Sequence, residues 1–495
     1  MYPKAKICLL LSSLFLMQGC NDSDNSSSSS SSNQQTRFIY TSTNDVQDNR
    51  VISFAVADDG SLIERASFST GGVGDADDGD IDAQGTIRIL GDKLLVVNAG
   101  ETLGDGSITE NNGSISVFRI NDSTGDLTRI DQRAEHSGIQ NMDSFGIRPV
   151  SIDVKTVAGN TWVIVANQQN VSHCIQPTDG EKLESCLDQY NKPISEHLVD
   201  SNPDTRNLYL YRFDVDTGVL TPQKRLATYT ARQNGPAQVS FSPDGTKVAV
   251  TTLGIVNAAY PASTELSTPA HTFLYDVSVN NGDFSLLNSR YFANENILGS
   301  IGFSWSADSR FVYVSNAILT SHFISDVGSS GLRNNIAALI SLDTTNSNDV
   351  FDSSPNMNSQ PSSTGSIITA TRPAACWTWL SPDNHLYAVG FNSNQVVKFN
   401  VEGSLLEPDQ MVTRKTETEG DSKDIYVTYD KRHAYVLGFK SHDIAMFSLD
   451  ADGKLTEKSA SPLQVKSVQV NGEAPEITQR YFLGIAGYPN SYSGF

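Results

Sequence analysis

The chain has 495 residues, with 35 Lys+Arg against 56 Asp+Glu and a formal net charge of -21. A surface this acidic is repelled by nucleic acid and by anionic lipid headgroups, so neither is an expected partner of the bare protein. At this length a single ordinary core is outgrown, and a core built by repetition is expected instead.

At the N-terminus, Lys4 and Lys6 precede an apolar run from Ile7 to Met17, and Gly19 stands directly before Cys20. Residues 1–19 therefore read as a signal peptide, too short to span a membrane as a mature helix. The segment resembles a bacterial lipoprotein signal, although Met17-Gln18 stands where that class prefers leucine and a small residue. The resemblance implies acylation of Cys20, palmitate included, and a lipid-anchored protein of the bacterial cell envelope facing the periplasm or the cell surface. Residues 20–35 are almost wholly Ser, Asn, Asp and Gln, with no apolar side chain to bury. Such a stretch reads as a disordered tether reaching roughly 20 Å.

From residue 36 to 495 the pattern is of strands, without helical periodicity over any comparable length. The clearest unit runs through Val239-Ser240-Phe241-Ser242, turns at Pro243-Asp244-Gly245, continues in Lys247-Val248-Ala249-Val250-Thr251 and resumes at Thr272–Val277. Second strands of the same character lie at Phe38–Thr41, Leu94–Val97, Trp162–Ala166, Val248–Thr252, Phe311–Ser315, Leu386–Gly390 and Ala434–Gly438. Third strands follow near Val51, Ser114, Asn207, Thr272, Asn335, Gln395 and Asp443. Four-stranded units repeated seven times read as an all-β, seven-bladed β-propeller. The first unit opens with its second strand, whereas Arg480–Gly487 has no later partner, so strands from both termini are expected to close the ring.

These segments also look like a family. Leu94-Leu95-Val96-Val97-Asn98-Ala99-Gly100, Pro236–Gly245, Ala375-Cys376-Trp377 with Ser381-Pro382-Asp383, and Ser116–Ile120 with Thr124–Thr128 resemble the lactonase-like propellers. That family joins 6-phosphogluconolactonase and muconate-cyclising enzymes to exported proteins of unassigned chemistry. Its enzymes carry His-rich starts to their inner strands, and here the corresponding stretch is Gly235-Pro236-Ala237-Gln238. The catalytic set therefore does not transfer residue by residue.

What remains are candidates by position, because loops from all blades converge where inner strands begin. They are Gln84, Gln238, Ser300 and Lys423 as ligand-binding residues of the channel, with Arg148, Arg372 and Asp424 as the candidate catalytic groups. Against that stands the reading of Arg148 and Arg372 as strand-end residues paired with Asp424 or Asp82. Asp75, Asp77, Asp80 and Asp82 have the alternation of a Ca²⁺ loop but lack a distal glutamate, and a solvated acidic loop explains them as well. Cys174 and Cys186 bracket a polar loop and form either a disulfide or two free thiols, whereas Cys376 reads as a core residue. The histidines, His385 and His433 among them, show no ligand spacing.

Two functions are compatible with this reading. One is an envelope binding module, expected as a monomer, whose long inserts at 168–206, 253–270, 317–334 and 343–366 meet a protein, glycan or small ligand. The other is a lactone hydrolase or lactonising enzyme using Asp424 as base and an arginine as oxyanion stabiliser. The anchor is testable by itself. A Cys20→Ser variant is expected to lose incorporation of labelled palmitate and to leave the membrane pellet; equal labelling of both proteins would refute lipid attachment.

Overall fold

The computed structural model describes residues 35–45, 47–74, 83–100, 113–132, 140–168, 206–230, 233–253, 269–293, 297–319, 339–345, 375–391, 393–418, 420–467 and 482–489. Cys20, the pair Cys174 and Cys186, the acidic run Asp75, Asp77, Asp80 and Asp82, and Arg372 lie outside the described residues.

Every regular element among the described residues is a β-strand. The second strands are continuous apolar runs, such as Lys93–Asn98 and His433–Gly438, buried along their whole length. A run of this kind has no solvent face, because both of its faces pack against neighbouring sheets. The strands form consecutive antiparallel meanders, and the largest sheet is two of these joined by one pair, Leu253 with Gly299. The third strand of the fifth unit is described over Leu339–Asp343, and Asn335, near which it is expected to begin, lies outside the described residues.

The innermost strand of each meander packs against the next. Leu483–Tyr488 meets Ile87–Leu90, followed in turn by Pro149–Val157, Gly235–Phe241, Ile297–Trp305, Ala375–Leu380 and Ser422–Val427, which returns to Leu483–Tyr488. The cycle of inner strands is thus closed around a central channel, as in a β-propeller. Closure uses both ends of the domain, since Leu483–Tyr488 pairs antiparallel with Phe38–Ser42 and completes the first meander.

Two repeated devices hold the meanders in shape. In the first, a hydroxyl opens the turn between inner and second strand: Ser242, Ser306 and Thr428 each donate to the Asp two residues on, at 2.6 Å. The same oxygens accept the backbone N–H of Lys247, Phe311 and His433, which fixes where the second strand starts. Ser381, Asp383 and His385 repeat the arrangement.

In the second device, a tyrosine at the third position of a second strand reaches the outer hairpin of the following meander. Tyr40, Tyr313, Tyr387 and Tyr435 donate to the carbonyls of Gly125, Gly403, Gly453 and Gly60 at 2.7–3.0 Å. The last of these runs from the final meander back to the first. Each acceptor glycine has positive φ, between 59° and 80°. A ring from the same second strand lies against it, supplied by Phe38 at Gly125, Phe311 at Gly403, His385 at Gly453 and His433 at Gly60. His385 and His433 therefore occupy phenylalanine positions, and burial pulls the pKa of both down.

A Cβ at residue 453 would stand 2.3 Å from His385 Nδ1, on a backbone with φ of 72°. Gly453→Ala is accordingly expected to destabilise the domain by roughly 2–4 kcal/mol in urea unfolding, and Tyr387→Phe by about 1–2 kcal/mol. A stable Gly453→Ala protein would show that these seams are soft.

Candidate functional site

Inner strands alternate, so every second side chain faces the channel. Ile87-Arg88-Ile89 and Ile152-Asp153-Val154 each set one charged residue between apolar neighbours. Arg88 Nε donates to Asp153 Oδ1 at 3.2 Å, and Asp153 Oδ2 accepts the backbone N–H of Phe241 from the next inner strand at 2.7 Å. Gln238 continues the belt: its amide accepts from Phe303 N at 2.7 Å and donates to Phe303 O at 3.1 Å. Ser304 and Thr378 join the following two strands at 2.9 Å.

The segment Ala83–Gly85 lies across the ring, tied to strands on several sides. Trp377 Nε1 donates to Ala83 O at 2.8 Å, Gln84 N donates to Ala237 O at 3.2 Å, and Ile152 N donates to Gly85 O at 2.9 Å. Ser151 Oγ donates to Gln84 O at 2.7 Å. The Gln84 side chain donates to Thr378 O at 2.7 Å and to Asp424 Oδ1 at 3.1 Å, and accepts Thr378 N at 3.2 Å. Opposite it, Gly302 has no room for a side chain, since a Cβ there would meet Gln84 Oε1 at 2.1 Å. These bonds make the segment a crosspiece over the channel.

Asp424 is the buried carboxyl beside it. Besides Gln84, it accepts the backbone N–H groups of Ile425, at 2.9 Å, and Ile485. Burial dominates and raises its pKa to about 6, against the opposing pull of the Ile425 N–H and the Arg88 charge. A cavity of about 50 Å³ is bordered by Arg88, Asp153, Asp424 and Tyr426. That volume holds a few waters, whereas pockets for small organic ligands are several times larger. Two larger hollows, of about 290 and 280 Å³, lie among the turns of Asp383, Lys431 and Asp450 and beside Lys398 and Asp409, away from the crosspiece.

Of the residues singled out by position, the structure brings Gln84 and Asp424 into contact. Gln238 is occupied in joining strands, and Ser300 Oγ donates to Asn316 Oδ1 at 3.1 Å. Lys423 is buried, with its ammonium 4.2 Å from the Phe439 ring centroid and 5.5 Å from that of Trp377. Arg148 is buried with φ of 57°, and its carbonyl accepts Gln168 N at 2.9 Å. Arg88 and Asp153 were not singled out, although a charge between apolar residues on an inner strand is the pattern that marks a channel-facing group.

No protein-family model matches the chain, and no curated protein matches it. Among solved structures it is similar to a candidate 6-phosphogluconolactonase from Bacteroides fragilis, at 13% identity and a TM-score of 0.52, covering 92% of this chain and 99% of that one. It is also similar to the periplasmic gluconolactonase of Pseudomonas aeruginosa, at 14% identity and a TM-score of 0.50, covering 90% and 99%. At such identities the likeness is one of fold: the chain has the lactonase-like β-propeller architecture.

A carboxyl whose pKa is raised by folding favours the folded state most below its unfolded value, and that advantage is lost as pH climbs through the folded one. For Asp424 the rise from 3.8 to about 6 corresponds to roughly 3 kcal/mol. Asp424→Asn is therefore expected to gain stability over the unaltered protein by about that amount between pH 4 and pH 7.5, read from urea unfolding at both. Parallel pH dependences would place the carboxyl in water.

Proposed function

We propose that this protein is a lipid-anchored binding module of the bacterial cell envelope, a propeller that meets its ligand on one face rather than turning over substrate in its channel. The observation that supports this most is the Ala83–Gly85 crosspiece. Gln84 and Asp424, which a channel reaction would need free, hold each other and the backbone of neighbouring strands. The cavity bordered by Arg88, Asp153 and Asp424 is too small for a sugar lactone.

Strand register adds a second support. The ends of second strands pair with the starts of inner strands: Asn167 with Pro149, Leu253 with Gly235, Leu319 with Ile297. The long sequence stretches from Asn167 to Asn207, Leu253 to His271 and Leu319 to Leu339 all leave from those ends. The described strand ends that flank these stretches therefore lie on the face on which the inner strands begin, where a rigid scaffold carries recognition.

The second reading is a lactone hydrolase, favoured by the fold shared with the Pseudomonas aeruginosa gluconolactonase and by Asp424 with its raised pKa near Arg88. The two readings separate in one pair of assays. Glucono-1,5-lactone and its 6-phosphate should be hydrolysed no faster with the protein than without it, while an envelope component captured by the protein should be lost when residues 169–205 are replaced by a short linker. Lactone turnover abolished by Asp424→Asn would reverse the assignment.

A further inference from the structure

The loop leading into Pro149–Val157 holds two non-glycine residues in the left-handed region, Phe145 at φ 53° and Arg148 at φ 57°. For a bulky side chain this conformation is a true outlier, and it persists only where the surroundings impose it. Around Phe145 they do. Its N–H donates to Asp143 Oδ1 at 2.7 Å, and its carbonyl accepts from Asn207 Nδ2 at 2.9 Å. The preceding carbonyl, of Ser144, accepts from Asn167 Nδ2 at 3.0 Å, and Asn167 and Asn207 are themselves bonded at 2.9 Å. Tyr211 fixes the start of the loop by donating to Asp143 O at 2.7 Å.

All this restraint brings an apolar ring to the surface. Phe145 is 39% exposed and stacks on Tyr209, with centroids 4.4 Å apart and 17° between the planes. Tyr211 supports Tyr209 from below, at 5.2 Å. Packing on Tyr209 covers one face of the ring and leaves the rest at the surface, whereas glycine would take the same backbone without strain.

We propose that Phe145, backed by the Tyr209 ring stacked beneath it, forms a stacking platform for a neutral sugar ring of a glycan, which names the ligand class for the binding module inferred above and rests on that reading. An aromatic face carries negative partial charge and attracts the C–H groups that line one face of a pyranose. At the rim stand an acceptor and a donor for sugar hydroxyls: the carboxylate of Asp143, and the guanidinium of Arg225, the exposed cross-strand partner of Tyr209. Both lie close enough to act on the Tyr209 hydroxyl. Asp143 and Arg225 bring one charge of each sign to the ring, and the -21 of the whole chain repels acidic polysaccharides. The exposed part of the Phe145 ring is a planar aromatic surface, which suits a ring laid upon it better than a peptide side chain seeking a pocket. It also lies where inner strands begin, the face favoured for binding.

The test is titration of the detergent-solubilised full chain with cellohexaose, maltohexaose and chitohexaose, followed by calorimetry and saturation-transfer NMR. At least one should bind, with affinity lowered at least roughly tenfold in Phe145→Gly and Phe145→Ala, kept in Phe145→Trp and unmoved by added salt. The melting temperature of Phe145→Gly should equal or exceed that of the unaltered protein. Absence of binding by all three sugars at about 10 mM, or binding that survives Phe145→Gly, overturns the platform. A large fall in the melting temperature of Phe145→Gly overturns it too, since the ring would then be a packing element. If the sugars fail while capture through residues 169–205 persists, the binding module stands and the glycan is wrong.

Discussion

The antiparallel pairing of Leu483–Tyr488 with Phe38–Ser42 is the contact on which the other inner strands depend. Without it the first meander would lack its inner strand, leaving the edge of Phe38–Ser42 open to further pairing, and the inner strands on either side would lose a packing partner. Once the last strand joins the first meander, each sheet is packed on both sides, and the apolar faces of Tyr40, Val51, Ile87 and Ala486 meet in one cluster. The seams then need only local fastenings. Where a second strand carries tyrosine, its hydroxyl serves; between the second and third meanders, where Leu95 stands instead, Gln132 donates to Gly218 O and accepts Leu220 N. Different side chains satisfy the same requirement, a carbonyl and an N–H left over at a hairpin turn.

The channel is governed by the same accounting. Inner strands pair with a neighbour on one side only, and their inward backbone groups would be orphaned without partners. Asp153 and Gln238 supply these partners by accepting a backbone N–H of another inner strand, Asp424 by accepting those of Ile425 and Ile485, and Ser151 by accepting Val239 N–H and donating to Gln84 O. A carboxylate spent this way is a poor general base, since removing it from its donors exposes two buried N–H groups for each proton taken.

Much of this arrangement is written locally, and some of it is not. The second strands are legible because Leu94–Val97 or Ala434–Gly438 are unbroken apolar runs between turn residues. The turns are legible because Ser-Pro-Asp-Gly at 242–245 has a hydroxyl and a carboxylate at the spacing that caps its own backbone. The closing strand is legible by subtraction. Gln84 also lay among the residues chosen by position, but its role did not, because its partners Thr378 and Asp424 are 294 and 340 residues away in sequence. Phe145 was invisible for a different reason. The sequence Ser144-Phe145-Gly146 offers glycine for positive φ one place later, and only the tertiary bonds from Asn167 and Asn207 put the strain on the phenylalanine.

The two strained or crowded features bear on one another. Ala83–Gly85 closes the axis with bonds to four neighbouring inner strands, and a segment so held cannot be displaced by a ligand without breaking most of them at once. Each such bond left unmade in a buried setting costs about 1–3 kcal/mol, more in sum than a small lactone could return through its few polar atoms. Phe145, by contrast, lies at a seam on the rim with its ring partly exposed and stacked on Tyr209. The crosspiece over the axis and the strained Phe145 at the rim are the two features on which the proposed reading, recognition at the rim, rests.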